Sequence, residues 1–170
     1  MIPSLIIIIS NIAISVLITA KYGQALVYRK SIFIKNILFN GGWNLNHWGG
    51  NFAAIENDKM IFQGTSPTGG ADGSHIDLIE FLEIGNTYEV QCFAKSDSNT
   101  TGMFQLWCHD QIGQPNGVNQ ATVYKIPSTN GEIISLFFSA RFNRNIRIHL
   151  QYTPGEGRIE VTNVKIFKLK

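Results

Sequence analysis

The clearest pattern in this chain is an alternation of apolar and polar side chains with a period of two. Phe104, Leu106 and Cys108 share one face of an extended segment, and Met103, Gln105, Trp107 and His109 share the other. Ile146, Ile148, Leu150 and Tyr152 alternate in the same way with Arg147, His149 and Gln151, and Tyr88, Val90, Cys92 and Ala94 with Glu89, Gln91, Phe93 and Lys95. Further strands are predicted over residues 26–36, 53–56, 60–63, 74–83, 121–126, 132–142 and 158–169, the last with Ile159, Val161, Val164 and Ile166 as core candidates. No segment carries a sustained apolar stripe of helical period. Eight or more short strands at regular spacing predict an all-β fold, a two-sheet antiparallel β-sandwich of the jelly-roll kind.

Turn chemistry divides these strands. Asn57-Asp58-Lys59 closes a hairpin, Ile84-Gly85-Asn86 and Pro154-Gly155-Glu156-Gly157 are turns, and residues 65–73 and 110–120 are long polar loops. Residues 40–50, rich in Gly and Asn, form a loop that still holds two tryptophans; Trp43 is read as a lid on the core edge, and Trp48 as either a lid or an exposed stacking platform. The short loop at 96–101 predicts that strands 87–95 and 103–109 form an antiparallel pair. That register makes Cys92 and Cys108 diagonal neighbours at or beyond the reach of a disulfide, so both are expected as buried free thiols.

Length and composition narrow the class. At 170 residues the chain suits one domain, 44% of it is hydrophobic, and only 15% is charged, which implies a polar but uncharged exterior. A formal charge of +2, with Arg141, Arg144 and Arg147 scattered, offers no basic patch for nucleic acid. The apolar run over residues 5–20, followed by Gly23-Gln24-Ala25, predicts a signal peptide over 1–25 cleaved near Ala25, with an uncleaved anchor as the alternative because the first positive residues follow the run, and a β-sandwich domain over 26–170 whose core begins near residue 35. The expected location is extracellular or at the cell surface, with no membrane contact after cleavage; nothing in the sequence sets an oligomeric state.

The candidate chemistry is that of binding. Glycoside hydrolysis needs two facing carboxyl groups, whereas Glu89 and Asp110 fall at opposite ends of neighbouring predicted strands and read as solvated acids. No nucleophile-elbow, CxxC or HExxH motif occurs, and His75, His109 and His149 would meet at a metal only if three strands aligned them. Sugar recognition fits better, because a pyranose packs its C–H face on an aromatic ring while its hydroxyls donate to and accept from amides. The residues assigned to this role are Gln91, Phe93, Gln105, Trp107, His109, Arg147, His149, Gln151 and Trp48, with Trp107 as the platform.

Three segments, Asn40-Gly41-Gly42-Trp43, the stretch from Leu82 through Gly85-Asn86-Thr87-Tyr88 to Ala94-Lys95, and the stretch from Ile159 to Ile166, resemble carbohydrate-binding modules of families four and nine over about residues 35–170. The resemblance implies a jelly roll that binds a neutral polysaccharide such as β-glucan or xylan along a sheet face, without catalysis, as an accessory to a glycoside hydrolase. Such modules commonly hold a structural calcium with an acidic residue after the opening Asn-Gly and an Asp in the last strand. Gly42-Trp43 and Asn163 stand there, which puts calcium in question, and no other cofactor is expected. The competing expectation is a structural or adhesive surface protein with no glycan ligand.

Overall fold

The structure, a computed structural model, describes residues 31–46, 52–66, 72–109, 119–141 and 144–170. The predicted leader, Trp48 and Asp110 lie outside the described residues. The described strands are β1 (Ser31–Ile37), β2 (Asn44–Asn46), β3 (Phe52–Glu56), β4 (Lys59–Ser66), β5 (Asp72–Leu78), β6 (Thr87–Ser96), β7 (Phe104–His109), β8 (Asn119–Lys125), β9 (Glu132–Ser139), β10 (Ile146–Tyr152) and β11 (Gly155–Leu169). They form two antiparallel sheets. One runs β3-β4-β11-β6-β9, with β1 paired to the far half of β11; the other runs β2-β5-β10-β7-β8.

The period-two pattern decides what lies between the sheets. Val90, Cys92, Ala94, Leu136, Val161, Val164 and Ile166 face inward from the first sheet and meet Leu106, Cys108, Ile148, Leu150 and Tyr152 from the second, all buried. Removing each larger side chain of this kind from water contributes about 1.5–3 kcal/mol, which is why the alternation is so strictly kept. In β11 the parity changes once. Asn163 takes φ 54°, the register with β6 jumps between Thr162 and Lys165, and this bulge keeps both Val161 and Val164 inward along a 15-residue strand. Asn57 and Asp58, at φ 50° and 58°, make the two-residue turn of the β3–β4 hairpin, a backbone state these two residue types tolerate well.

Several expectations are corrected. β6 and β7 do not pair: β6 lies between β11 and β9, and β7 lies between β10 and β8 in the opposite sheet. Alternation states which face of a strand is buried but not which sheet owns it, and the connection between these strands crosses the end of the sandwich. There Thr101 N–H donates to the Glu156 carbonyl and Asp97 N–H to that of Arg158, and Gly102 lies so close to Tyr152 that a Cβ would stand 2.5 Å from the ring. Cys92 and Cys108 are both buried and free, as expected, but they belong to opposite sheets and are not diagonal partners in one antiparallel pair. Burial pushes the Cys92 thiol up to about 12 and raises that of Cys108 as well. The strand expected over 74–83 ends at Leu78, and Gly155 to Gly157, expected as a turn, lies within β11. Trp43 is buried against Phe39, with its indole N–H donating to the Leu38 carbonyl at 3.1 Å, as a lid should be.

Candidate functional site

The outer face of the five-stranded sheet is built in rows, because side chains on neighbouring antiparallel strands stand side by side. The central row runs Asn44 (β2), His75 (β5), His149 (β10), Trp107 (β7). His149 and Trp107 are stacked, ring centroids 3.5 Å apart and planes 7° apart, and His75 stands 5.4 Å from His149. His109 meets the edge of Trp107 in a T-shaped contact at 6.2 Å. One face of the indole is therefore already covered by an imidazole.

The next row is Gly73 (β5), Gln151 (β10), Gln105 (β7), Tyr124 (β8). Gly73 brings no side chain, and Gln105 is only 8% exposed, so the row is a floor. The Trp107 indole N–H donates to Gln151 Oε1 at 3.3 Å, and Gln105 Nε2 donates to the Tyr124 hydroxyl at 2.7 Å. Tyr124 stands at the end of the row, 54% exposed. From β5 to β8 the row spans three inter-strand steps, about 14 Å.

On the other side of the ring row, Arg147 and Asp77 form a two-pronged pair, Nε to Oδ1 at 2.5 Å and Nη2 to Oδ2 at 2.7 Å. The guanidinium holds the Asp77 carboxyl below its usual range, and the pair leaves little net charge on the face. Burial, with His75 and Arg147 nearby, lowers His149 from 6.5 to about 3, and burial and Arg147 lower His75. His149 is thus a neutral ring at ordinary pH. The arrangement offers amide donors and acceptors beside uncharged aromatic surface.

Six of the nine sequence-predicted residues come together here: Gln105, Trp107, His109, Arg147, His149 and Gln151. Gln91 and Phe93 do not. They lie on the outer face of the other sheet, where Gln91 donates to Glu89 at 2.8 Å and the Phe93 ring packs on Gly131. Their misplacement follows directly from the β6–β7 pairing that the fold overturns. Trp48 lies outside the described residues. Sequence reasoning missed Tyr124, Gly73, Asn44, His75 as a wall residue, and Asp77. For Tyr124 a signal existed in the alternation of residues 121–126; for Gly73 and Asp77 only strand order supplies it.

At the positions for which the resemblance implies acidic calcium ligands, this chain has no carboxylate. Gly42 packs on Ile76, Trp43 is buried, and Asn163 sits in the β11 bulge; among the described residues no three His, Cys, Asp or Glu side chains converge as a metal site.

No family model matches the sequence, and no curated protein matches it. Solved structures do match the fold. The CBM22-1 xylan-binding domain of Xyn10C from Paenibacillus barcinonensis is similar with a TM-score of 0.57 at 11% identity, covering 77% of this chain and 88% of that one. A family 11 carbohydrate-binding module from Clostridium thermocellum, in complex with a β-1,3-1,4-mixed-linked tetrasaccharide, matches at 0.53 and 14%, covering 80% and 94%. The enzymatically active domain of bacteriophage CBA120 tailspike protein 4 matches at 0.56 and 16%, covering 74% of this chain and 19% of that one. These structures include carbohydrate-binding modules of more than one family and a tailspike domain, do not single out families four and nine, and show that the chain shares their β-sandwich fold.

Proposed function

We propose that this chain is a non-catalytic, extracellular glycan-binding module that takes a neutral polysaccharide of the β-glucan or xylan type across the outer face of the β2-β5-β10-β7-β8 sheet, working alongside glycoside hydrolases. The observation that carries the reading is the floor of Gly73, Gln151 and Gln105, flanked by the His75–His149–Trp107 ring row, in which His149 and Trp107 are stacked, and ended by the exposed Tyr124. Amides on the floor match hydroxyls, and ring surface at the side and end matches sugar C–H faces. The fold is shared with a xylan-binding domain and a mixed-linkage glucan complex, which supports the ligand class.

A second reading, an adhesive or structural surface protein, draws on the exposed Phe33, Ile133 and Phe137 of the opposite sheet. Isothermal titration of the protein against a panel of soluble neutral polysaccharides separates the two. Binding to a panel member that is nearly independent of salt is expected, because the contacts are not ionic. Failure to bind any of the panel overturns the glycan reading in favour of the second.

A further inference from the structure

The row on the far side of the amide floor from Trp107 has a different chemistry. Tyr152 and Phe104 are the last paired residues of β10 and β7, and one step beyond them Thr153 N–H donates to the Met103 carbonyl at 2.9 Å while Met103 N–H donates to Thr153 Oγ1 at 2.7 Å. Alternation turns Thr153 and Met103 outward, and one step past the Phe104–Lys125 pair it puts Ile126 beside Met103. Met103 is 41% exposed and Ile126 45%. This row lies four residues from the ring row along the strands, about 13 Å, so the two rows flank the amide floor from opposite sides.

We propose that the Thr153–Met103–Ile126 wall is a subsite for an acetyl group carried by the bound sugar. The inference rests on the reading of this face as a glycan site. Thr153 Oγ1 already accepts a main-chain N–H, which leaves its own proton for an acceptor outside the protein. Beside it, Met103 and Ile126 offer only aliphatic surface and a thioether. One donor next to two aliphatic side chains matches a carbonyl joined to a methyl. A bare sugar hydroxyl turned to Met103 and Ile126 would lose water and gain no hydrogen bond there. The acetyl group has two sources, the amide of an N-acetylated amino-sugar polymer and the ester of an O-acetylated xylan-like polymer, and the wall recognises what they share.

Calorimetry on the full chain with two matched pairs tests this: a tetramer of N-acetylglucosamine against cellotetraose, and acetylated xylan against the same xylan after alkaline deacetylation. We expect the acetylated member of at least one pair to bind about tenfold more tightly or better, with the responding pair naming amide or ester as the source. Met103→Ser, Ile126→Ser and Thr153→Val should each lower that ratio while cellotetraose binding stays at the parent value, which also shows that the variant is folded. Equal affinity within both pairs overturns the subsite and leaves the glycan reading standing; no binding of any of the four overturns both.

Discussion

The two outer faces of the sandwich start from the same alternation and end with different surfaces. On the six-stranded sheet, Glu160 of β11 gathers Lys59 at 3.2 Å, Lys95 at 3.5 Å and Arg158 at 3.4 Å, and Arg158 also reaches Glu56 at 3.7 Å. Ile61, an outward position paired with Glu160, is nevertheless buried in their midst. At the other end of that face stand Phe33 and Phe167 in edge contact and the exposed Phe137, while the exposed Ile133 lies on the edge strand nearer the Glu160 cluster. On the outer face of the five-stranded sheet the described residues show the Arg147–Asp77 ion pair in a row beside amides, imidazoles and aromatic rings in register, while Lys125 of β8 pairs with Glu132 of β9. A low charge content is therefore not spread evenly over the molecule. One face gathers several of its charges around Glu160, and the other is left with groups that can be shared with a neutral polar ligand.

The sharpest way to break this comparison is to remove one ring from each face. Trp107→Ala should weaken polysaccharide binding by about tenfold or more, the scale of about 1–3 kcal/mol known for stacking on aromatic platforms, with a further cost from the loss of the His149 stack. Phe137→Ala should leave the same titration unchanged. Equal losses in both variants would show that the faces are not functionally distinct.

Next in size is the far end of the floor. Tyr124→Ala should lower affinity several-fold, and Tyr124→Phe by less, since the ring remains and only the acceptor for Gln105 is lost, worth about 1 kcal/mol. If the phenylalanine variant binds as poorly as the alanine one, Tyr124 acts by holding Gln105 and not by contact with sugar.

The ring row also sets an acid limit. An unfolded His149 takes up its proton near 6.5, whereas the folded one waits until about 3, so between those values the unfolded chain binds more protons. The contribution of a neutral His149 to stability is complete above 6.5 and declines as pH falls toward 3; Asp77, whose pKa is also lowered, adds a loss in the same direction once pH drops below about 3.8. Denaturant midpoints should fall across that window and the slope should lessen in His149→Gln. A midpoint that does not change between pH 6.5 and 4 would mean that His149 is not held neutral in the folded chain.

The smallest effect belongs to the charged face. Glu160→Gln should cost less than about 1 kcal/mol in urea unfolding, because Lys59 and Lys95 are nearly half exposed, and the difference should shrink in high salt. Glycan binding should not respond at all.

Much of the fold was legible in the chain, and the reason is local. The period of two named Leu106, Cys108, Ile148 and Leu150 as core, and Asn57-Asp58 marked the β3–β4 hairpin, since burial of alternate side chains and a left-handed turn are properties of a few consecutive residues. The candidate site was partly legible for the same reason: Trp107 and His149 point outward because their neighbours point inward. The stacking between them was not legible, as it depends on β10 lying beside β7, and neither was the loss of Gln91 and Phe93 from the site.

By itself, then, the sequence determined most of the strands and which face of each is buried, though not that Asn44–Asn46 and Gly155 to Gly157 are extended, and it determined that the chain is poor in charge. Tertiary structure alone decided which strand stands beside which, and so placed β6 in one sheet and β7 in the other, set Gly73, Gln151, Gln105 and Tyr124 in one row, and covered one side of Trp107 with His149. The physical reason is that an apolar face satisfies burial equally well in either sheet. Partner choice is fixed only by the length and anchoring of the connection, as at Gly102 against Tyr152, and by packing across the core, which no short stretch of sequence contains.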